Sequence, residues 1–331
     1  MAKFPAGCLG SFGQGLDEAA VVVDDGQPDH PTESRDATGE FGKAFTGFSL
    51  PSATLARVNA LEAIVLGLVQ GLTEFLPISS SGHLRIVPAV FGWEDPGAGF
   101  TAVIQLGTMA AVLLYFRADI WRITRTWFRE LGRPRSELSA DAKLGWIIAF
   151  GTVPISILGF AFSDQIESSA RDLYVIGTAL ILFSFVMLAA EHYAKNRPEK
   201  RDIENATVKD GVGIGFAQAL ALIPGISRSG ATISAGLFAG FDRTAAARFS
   251  FLLSIPAVVL SGLFELKEIG GEDGASVGAT IIATIAAFIS GYAAIAWLLR
   301  YLATHTLTIF VIYRSPLGIA VIALTATGAI A

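Results

Sequence analysis

The chain has 331 residues, 52% of them apolar and only 16% charged, and its mean hydropathy is +0.56. A soluble domain needs about 25% charged residues to cover its surface, so the composition excludes a soluble globular enzyme, and equally a disordered, collagenous or coiled-coil chain. The net charge of −5 comes with no basic block for nucleic acid, and the single cysteine, Cys8, excludes an internal disulfide and a Cys-based metal cluster.

Residues 1–57 differ from the rest. They are rich in Gly, Asp, Ser and Pro, carry eight acidic residues against four basic ones, and contain no signal-peptide apolar run. They read as a disordered extension, or a spurious one with the true chain beginning near Val58. The remainder, 58–331, reads as one membrane domain.

Six stretches are long and apolar enough to cross a ~30 Å hydrocarbon core: 99–116, 144–162, 173–190, 245–264, 277–299 and 307–329. Pro154 and Pro256 lie inside two of them and are expected to kink them. Two further regions, 60–93 and 212–241, are apolar but interrupted by Pro, Ser and Gly. Each half is too short for an easy crossing, so both read as re-entrant helix–loop–helix pairs.

The two broken regions match without gaps at an offset of 148. Gly67 pairs with Gly215, Gln70 with Gln218, and Leu72 with Leu220. Ile78-Ser79-Ser80-Ser81-Gly82 pairs with Ile226-Ser227-Arg228-Ser229-Gly230, and Gly92 with Gly240. This is the mark of an internal repeat, about 58–190 and about 207–331. Three full spans separate the copies if the broken regions re-enter. An odd number of crossings turns the second copy over, so the repeats are inverted and their loops can meet near the bilayer midplane. The expected fold is an all-α polytopic membrane protein with six transmembrane helices and two re-entrant pairs in an inverted-topology repeat.

Loop charges agree with this count. Arg117, Arg122, Arg125, Arg129, Arg133, Arg135 and Lys143 fill one loop, and Lys195, Arg197, Lys200, Arg201 and Lys209 another. The positive-inside rule makes both cytoplasmic. Asp164, Glu167 and Asp172, then Glu265, Glu268, Glu272 and Asp273, mark the outward turns. Both chain ends then lie outside.

Chemistry concentrates in the two broken segments. In the first, Gln70 and Glu74 share a helix face at i, i+4 and precede Pro77, Ser79, Ser80, Ser81, Gly82 and His83. A carboxylate and a histidine in an apolar segment are functional candidates by default. The second runs from Pro224 and Gly225 through Ser227, Arg228, Ser229 and Gly230 to Thr232. A guanidinium, hydroxyls and backbone N–H groups at a helix N-terminus form an anion site, for which phosphate is the natural ligand. Blander readings stand beside these. Ser and Gly also serve as close-packing contacts between membrane helices, and Glu74 and Arg228 can form a structural ion pair. Glu62 reads as a helix cap, Arg85 as reaching the interface or lining the cavity, and Arg314 and His305 as snorkelling from a cytoplasmic helix end.

At these residues the sequence resembles the undecaprenyl-diphosphate phosphatases, also called the bacitracin-resistance protein family. The family's first motif, Glu/Gln-x-x-x-Glu followed by a Ser-Ser-x-Gly-His run, is met by Gln70, Glu74 and Ser79 through His83. Its second, Pro-Gly-x-Ser-Arg-Ser-x-x-Thr, is met by Pro224 through Thr232. Arg85 stands where the pattern suggests an apolar residue. The resemblance runs from about Val58 to the C-terminus. It implies a membrane hydrolase that converts undecaprenyl diphosphate to undecaprenyl phosphate plus phosphate. Such an enzyme recycles the carrier lipid of peptidoglycan synthesis and confers resistance to bacitracin.

The resemblance also implies dependence on Mg²⁺ or Ca²⁺, which Glu74 and Gln70 would hold through oxygen. Glu74 is alternatively a base, and His83 the general acid or base. Arg228 would stabilise the transferring phosphoryl group. Ser80, or Ser227 as second choice, would be the nucleophile, with direct attack by water as the alternative. Ser79, Ser229, Gly230 and Thr232 would bind substrate. The expected partners are a polyisoprenyl diphosphate lipid and membrane lipids, with a homodimer left open and no nucleic acid. A lipid-phosphate flippase or transporter of the same fold is the competing reading, since inverted repeats with broken helices also build transporters.

Overall fold

The computed structural model describes residues 58–162, 172–197, 199–265 and 276–330. The reading of residues 1–57, and that of Asp164, Glu167, Glu268, Glu272 and Asp273 as outward turns, lie outside the described residues.

Helix α1, Ala60–Phe75, starts at a capping box: the Glu62 N–H donates to the Asn59 side chain and the Asn59 N–H to the Glu62 carboxylate. Glu62 therefore caps, as its position suggested. The helix stops ahead of Pro77, and α2, Ser80–Phe91, begins three residues later. Helix α3, Gly97–Tyr115, runs into α4, Arg117–Arg129, and from Gly99 the two axes are bent by 72°. The arginines of this region were expected in a loop. Arg117, Arg122, Arg125 and Arg129 lie instead on a helix that exposes Trp121 and Phe128 and buries Ile123, a pattern suited to a membrane interface.

Helices α5, Ala140–Ala161, and α6, Leu173–Lys195, follow. Next come α7, Val208–Ala219, and α8, Arg228–Phe238. The last three are α9, Arg243–Glu265, α10, Val277–Leu302, and α11, Thr308–Ala326. Helices α5 and α9 run on through Pro154 and Pro256. Among the described residues there is no β-sheet, only an isolated bridge between Arg201 and Phe241. Five helices are long and apolar enough to cross a membrane, and six if α3 and α4 count as one bent span.

Glycine sets how closely these helices approach. Helix α1 lies on α10 and α7 lies on α5. A Cβ on Gly67 would sit 2.3 Å from the Ala283 carbonyl oxygen, and one on Gly215 would sit 2.1 Å from that of Gly151. Both pairs bring backbone against backbone, the usual route to tight association where lipid supplies no hydrophobic drive between helices. The matched glycines at the offset of 148 thus serve the same packing task on different partners. Around them, Phe249, Phe251, Leu253, Ile214 and Ile233 fill the largest buried cluster. It takes in Ala231, Ile233 and Leu237 of α8, whereas Leu84 and Ile86 of α2 pack in two smaller clusters.

Candidate active site between the two breaks

Ser79 and Ser227 begin α2 and α8, and both have φ of 76°. Positive φ crowds the Cβ of a non-glycine residue and costs on the order of 1–3 kcal/mol. Each serine offsets part of this as a cap. Ser79 Oγ accepts from the Gly82 N–H at 3.4 Å, and Ser227 Oγ from the Gly230 N–H at 3.2 Å. Each also sits 3.2 Å from the hydroxyl two residues on, Ser81 and Ser229 respectively. The kinks aim the next side chains, Ser80 and Arg228, at one carboxylate.

That carboxylate is Glu74, whose side chain is 8% exposed. Its Oε2 accepts from Ser80 Oγ at 2.5 Å and from Gln70 Nε2 at 3.3 Å; its Oε1 accepts from Arg228 Nη2. The acid comes from α1 and the guanidinium from α8, 154 positions apart. Beside them lies a small, partly open cleft lined by Glu74, Phe75, Arg228, Ser229, Ser250, Phe251 and Ser254.

Proton bookkeeping separates donors from acceptors in this cleft. Thr232 Oγ1 donates its hydrogen to the Arg228 carbonyl at 2.8 Å, so in its 2.5 Å contact with Ser250 it accepts. Ser254 donates to the Phe251 carbonyl at 2.8 Å. Thr232, expected at a phosphate oxygen, bonds within the first turn of α8 and to Ser250. Arg228 remains the charged donor lining the cleft.

His83 is buried apart from the carboxylate. Its Nδ1 lies 2.7 Å from the Ser79 carbonyl oxygen and its Nε2 2.7 Å from the Tyr313 hydroxyl. Both ring nitrogens are engaged, neither by Glu74 nor by Arg228. Gly230 stays close to the first loop: a Cβ there would lie 3.5 Å from the Pro77 Cβ.

Arg314 overturns its expected snorkelling. It is fully buried, and its Nη1 donates to the carbonyls of Pro77 at 3.0 Å and Ile226 at 3.1 Å, its Nη2 to that of Gly225 at 3.0 Å. One guanidinium thus touches both breaks. His305, by contrast, is exposed and stacks on Tyr301. Arg85 approaches Asp95 at 3.9 Å.

Comparison with known proteins settles the lineage. A family model described as bacitracin resistance protein BacA matches residues 63–320. The chain belongs to the BacA family. The match spans both breaks and Arg314. The chain is also similar to the undecaprenyl-diphosphatase of a Nocardioides species, 54% identical over 275 residues, which are 83% of this chain and 99% of that relative. The undecaprenyl-diphosphatase of Mycolicibacterium smegmatis is 53% identical over 275 residues, 82% of this chain and 98% of the relative. That of Thermobifida fusca is 50% identical over 271 residues, 82% and 92% respectively. In this BacA chain the sequence motifs missed Arg314, Tyr313, Ser250 and Ser254. An arginine six residues into an apolar span was the available signal for the first.

Among the described residues, no three of His, Cys, Asp and Glu gather into a metal cage. Glu74 and Gln70 still suit a hard cation. Gln70 Oε1 is buried without a partner, and Mg²⁺ commonly takes one or two protein oxygens and completes its shell with substrate phosphate and water.

Proposed function

We propose that this multi-pass membrane protein hydrolyses undecaprenyl diphosphate to undecaprenyl phosphate and phosphate. The reaction recycles a cell-wall carrier lipid and removes the diphosphate form of the lipid, so it confers bacitracin resistance. The observation that carries the mechanism is Ser80 Oγ donating to Glu74 at 2.5 Å while Arg228 holds the other carboxylate oxygen. A hydroxyl bonded to a base, beside a guanidinium, is the arrangement of an activated nucleophile next to an anion site.

In this reading, Arg228 swings from Glu74 to the terminal phosphate and stabilises its charge as it transfers. Ser80 Oγ attacks phosphorus and its proton passes to Glu74. The bond from phosphorus to the bridging oxygen breaks, and undecaprenyl phosphate leaves. Glu74 passes that proton to the departing undecaprenyl phosphate. Water then attacks the phosphoserine; Glu74 takes the water's proton and returns it to Ser80 Oγ as the bond from phosphorus to Ser80 breaks and inorganic phosphate leaves. Ser227, Ser229 and Gly230 form the N-terminal turn of α8, whose N–H groups favour an anion. His83 acts on the loop through the Ser79 carbonyl. Glu74 and Gln70 would hold a divalent cation, which when bound supplies positive charge against the diphosphate.

The finer topology belongs to the same proposal. Six spans and two re-entrant pairs form an inverted repeat, supported by the matching kinks at Ser79 and Ser227 and the matching glycine contacts. Positive loops put residues near Arg133 and Lys200 in the cytoplasm and both chain ends outside a bacterial inner membrane.

Phosphate release from undecaprenyl diphosphate by purified protein in detergent, with and without EDTA, tests the function, since a flippase has nothing to transport there. Release that EDTA abolishes and added Mg²⁺ or Ca²⁺ restores is expected; no release refutes the hydrolase. Acid-quenched reactions should contain phosphoserine at Ser80, and its absence under single turnover would favour water as the nucleophile. Impermeant thiol reagents should label cysteines placed at Asp164 or Glu272 in intact cells, and at Arg133 or Lys200 only after lysis.

A further inference from the structure

Helix α11 enters the site by two adjacent residues. The Arg314 guanidinium donates to three main-chain carbonyls, those of Pro77, Gly225 and Ile226. Among the described residues no carboxylate pairs with it. A permanently charged group in an apolar interior without a counter-ion is costly, and here only carbonyl dipoles and the face of Phe183, 5.9 Å away, answer it. A role confined to packing would be met by an apolar side chain at far lower cost.

The carbonyls it grips identify the task. Pro77 lies two residues before Ser79, and Ile226 one before Ser227. These are the positive-φ serines whose kinks aim Ser80 and Arg228 at Glu74. A planar fork can hold carbonyls from two separate segments in fixed relation, which a point-charge ammonium cannot.

Tyr313 ends a second chain of contacts on the same serine. A carbonyl only accepts, so the 2.7 Å contact with Ser79 O puts a proton on His83 Nδ1; in the neutral ring Nε2 then accepts from the Tyr313 hydroxyl. The two rings also stack, 5.6 Å apart. Tyr313, His83 and the Ser79 carbonyl thus form one line from α11 to the first kink.

We propose that Tyr313 and Arg314 form a positioning brace that fixes the two breaks against each other, so that Ser80 and Arg228 converge on Glu74. This rests on the hydrolase reading above. Neither residue touches the reacting phosphate. Their contribution is to alignment, and misplacement of a catalytic group by about 1 Å can cost about 10²-fold in rate.

The test is steady-state phosphate release from undecaprenyl diphosphate in detergent, with thermal unfolding of each variant measured in parallel. Arg314→Lys keeps the charge but not the fork; it should fold and lose at least about 10-fold in kcat, with KM within about threefold. Arg314→Gln should lose more, about 100-fold, so that the lysine partly rescues it. Tyr313→Phe leaves the buried His83 Nε2 without its donor; it should fold with a modestly lower melting temperature and lower kcat about 5- to 10-fold. A folded Arg314→Lys with kcat within twofold of wild type overturns the brace, as does a loss carried wholly by KM. Where Arg314→Lys fails to fold, Tyr313→Phe decides, and wild-type kcat in it overturns the brace. A wild-type protein that releases no phosphate overturns the hydrolase reading instead, which separates the two failures.

Discussion

Ser79 and Ser227 share a φ of 76°, each caps the short helix it begins, and each is preceded by a glycine-packed helix. The side chains hung on this common backbone differ at many places, and two of the differences divide the charge at the site. Position 74 is Glu where its counterpart, 222, is Leu, and position 80 is Ser where its counterpart, 228, is Arg. The first segment therefore contributes the acid and a hydroxyl, and the second the cation. At the site neither broken segment pairs an acid with a cation of its own, and Glu74 and Arg228 meet across the two. A duplicated backbone can stay alike in what it needs to fold while its chemistry divides between the copies. The variants below probe that division.

The largest effect should come from the charged pair. Glu74→Gln removes the acceptor of both Ser80 and Arg228, and should lower kcat by at least about 10²-fold, the scale for losing an electrostatic group from a transition state. Arg228→Lys keeps the charge but loses the bidentate fork and should be comparably impaired. Leu222→Gln, at the counterpart of Glu74, should leave kcat within a few-fold. Near-normal release by a folded Arg228→Lys would refute the clamp. A Glu74→Gln, Arg228→Gln double variant that regains stability and activity would reduce the pair to a structural bridge.

Packing should respond alike in both halves. Gly67→Ala and Gly215→Ala each push a methyl to within 2.3 and 2.1 Å of a backbone oxygen. Backbone cannot step aside as a flexible side chain would, so each should cost about 3 kcal/mol. Thermal unfolding in detergent would show it. A large loss at one glycine and none at the other would break the structural likeness.

These glycines, the proline stops and the Ser-Gly runs were legible in the sequence because each is a local device. They limit backbone angle or approach distance whatever surrounds them. Glu74, Ser80 and Arg228 were legible as a set because charge is costly in an apolar segment and the matched offset suggested that the segments meet. Arg314 was not. A cation near the cytoplasmic end of a span is ordinarily solved by snorkelling, and only tertiary packing shows that carbonyls from two distant turns surround it. Tyr313, Ser250 and Ser254 failed for the same reason, being unremarkable residues that neighbouring helices carry to the site. The arginines of α4 were read as loop because their charge masked the helical spacing of Ile120, Ile123 and Trp127.

A smaller and symmetric effect is expected at the kinks. Ser79→Ala and Ser227→Ala lose the cap yet keep a Cβ at positive φ, for about 1 kcal/mol each. Ser79→Gly and Ser227→Gly lose the cap but relax the backbone, and should change stability by only a few tenths of a kcal/mol. Equilibrium unfolding of the four variants should rank Gly above Ala at both sites. The reverse order at either site would mean that its positive φ carries no strain.

The last comparison sets Gln70 against Gln218. Both are buried glutamines at matched positions, 1% and 0% exposed. Gln70 has work for its amide, since Nε2 donates to Glu74 and Oε1 is free to take a cation. Gln218 faces no acid, because residue 222 is Leu, and both its amide oxygen and nitrogen lack a hydrogen-bond partner. A buried amide with nothing to bond costs about 1–3 kcal/mol relative to a satisfied one. Replacing it with an apolar residue of similar length removes that cost without opening a cavity. Gln218→Met should therefore raise stability by about 1 kcal/mol and leave kcat and metal dependence unchanged. Gln70→Met should lower activity and raise the concentration of Mg²⁺ or Ca²⁺ needed for half-maximal rate. Metal titrations and melting curves on the two variants read both quantities. If Gln218→Met is the one that shifts the metal requirement, the division of labour between the segments is the reverse of the one drawn from Glu74.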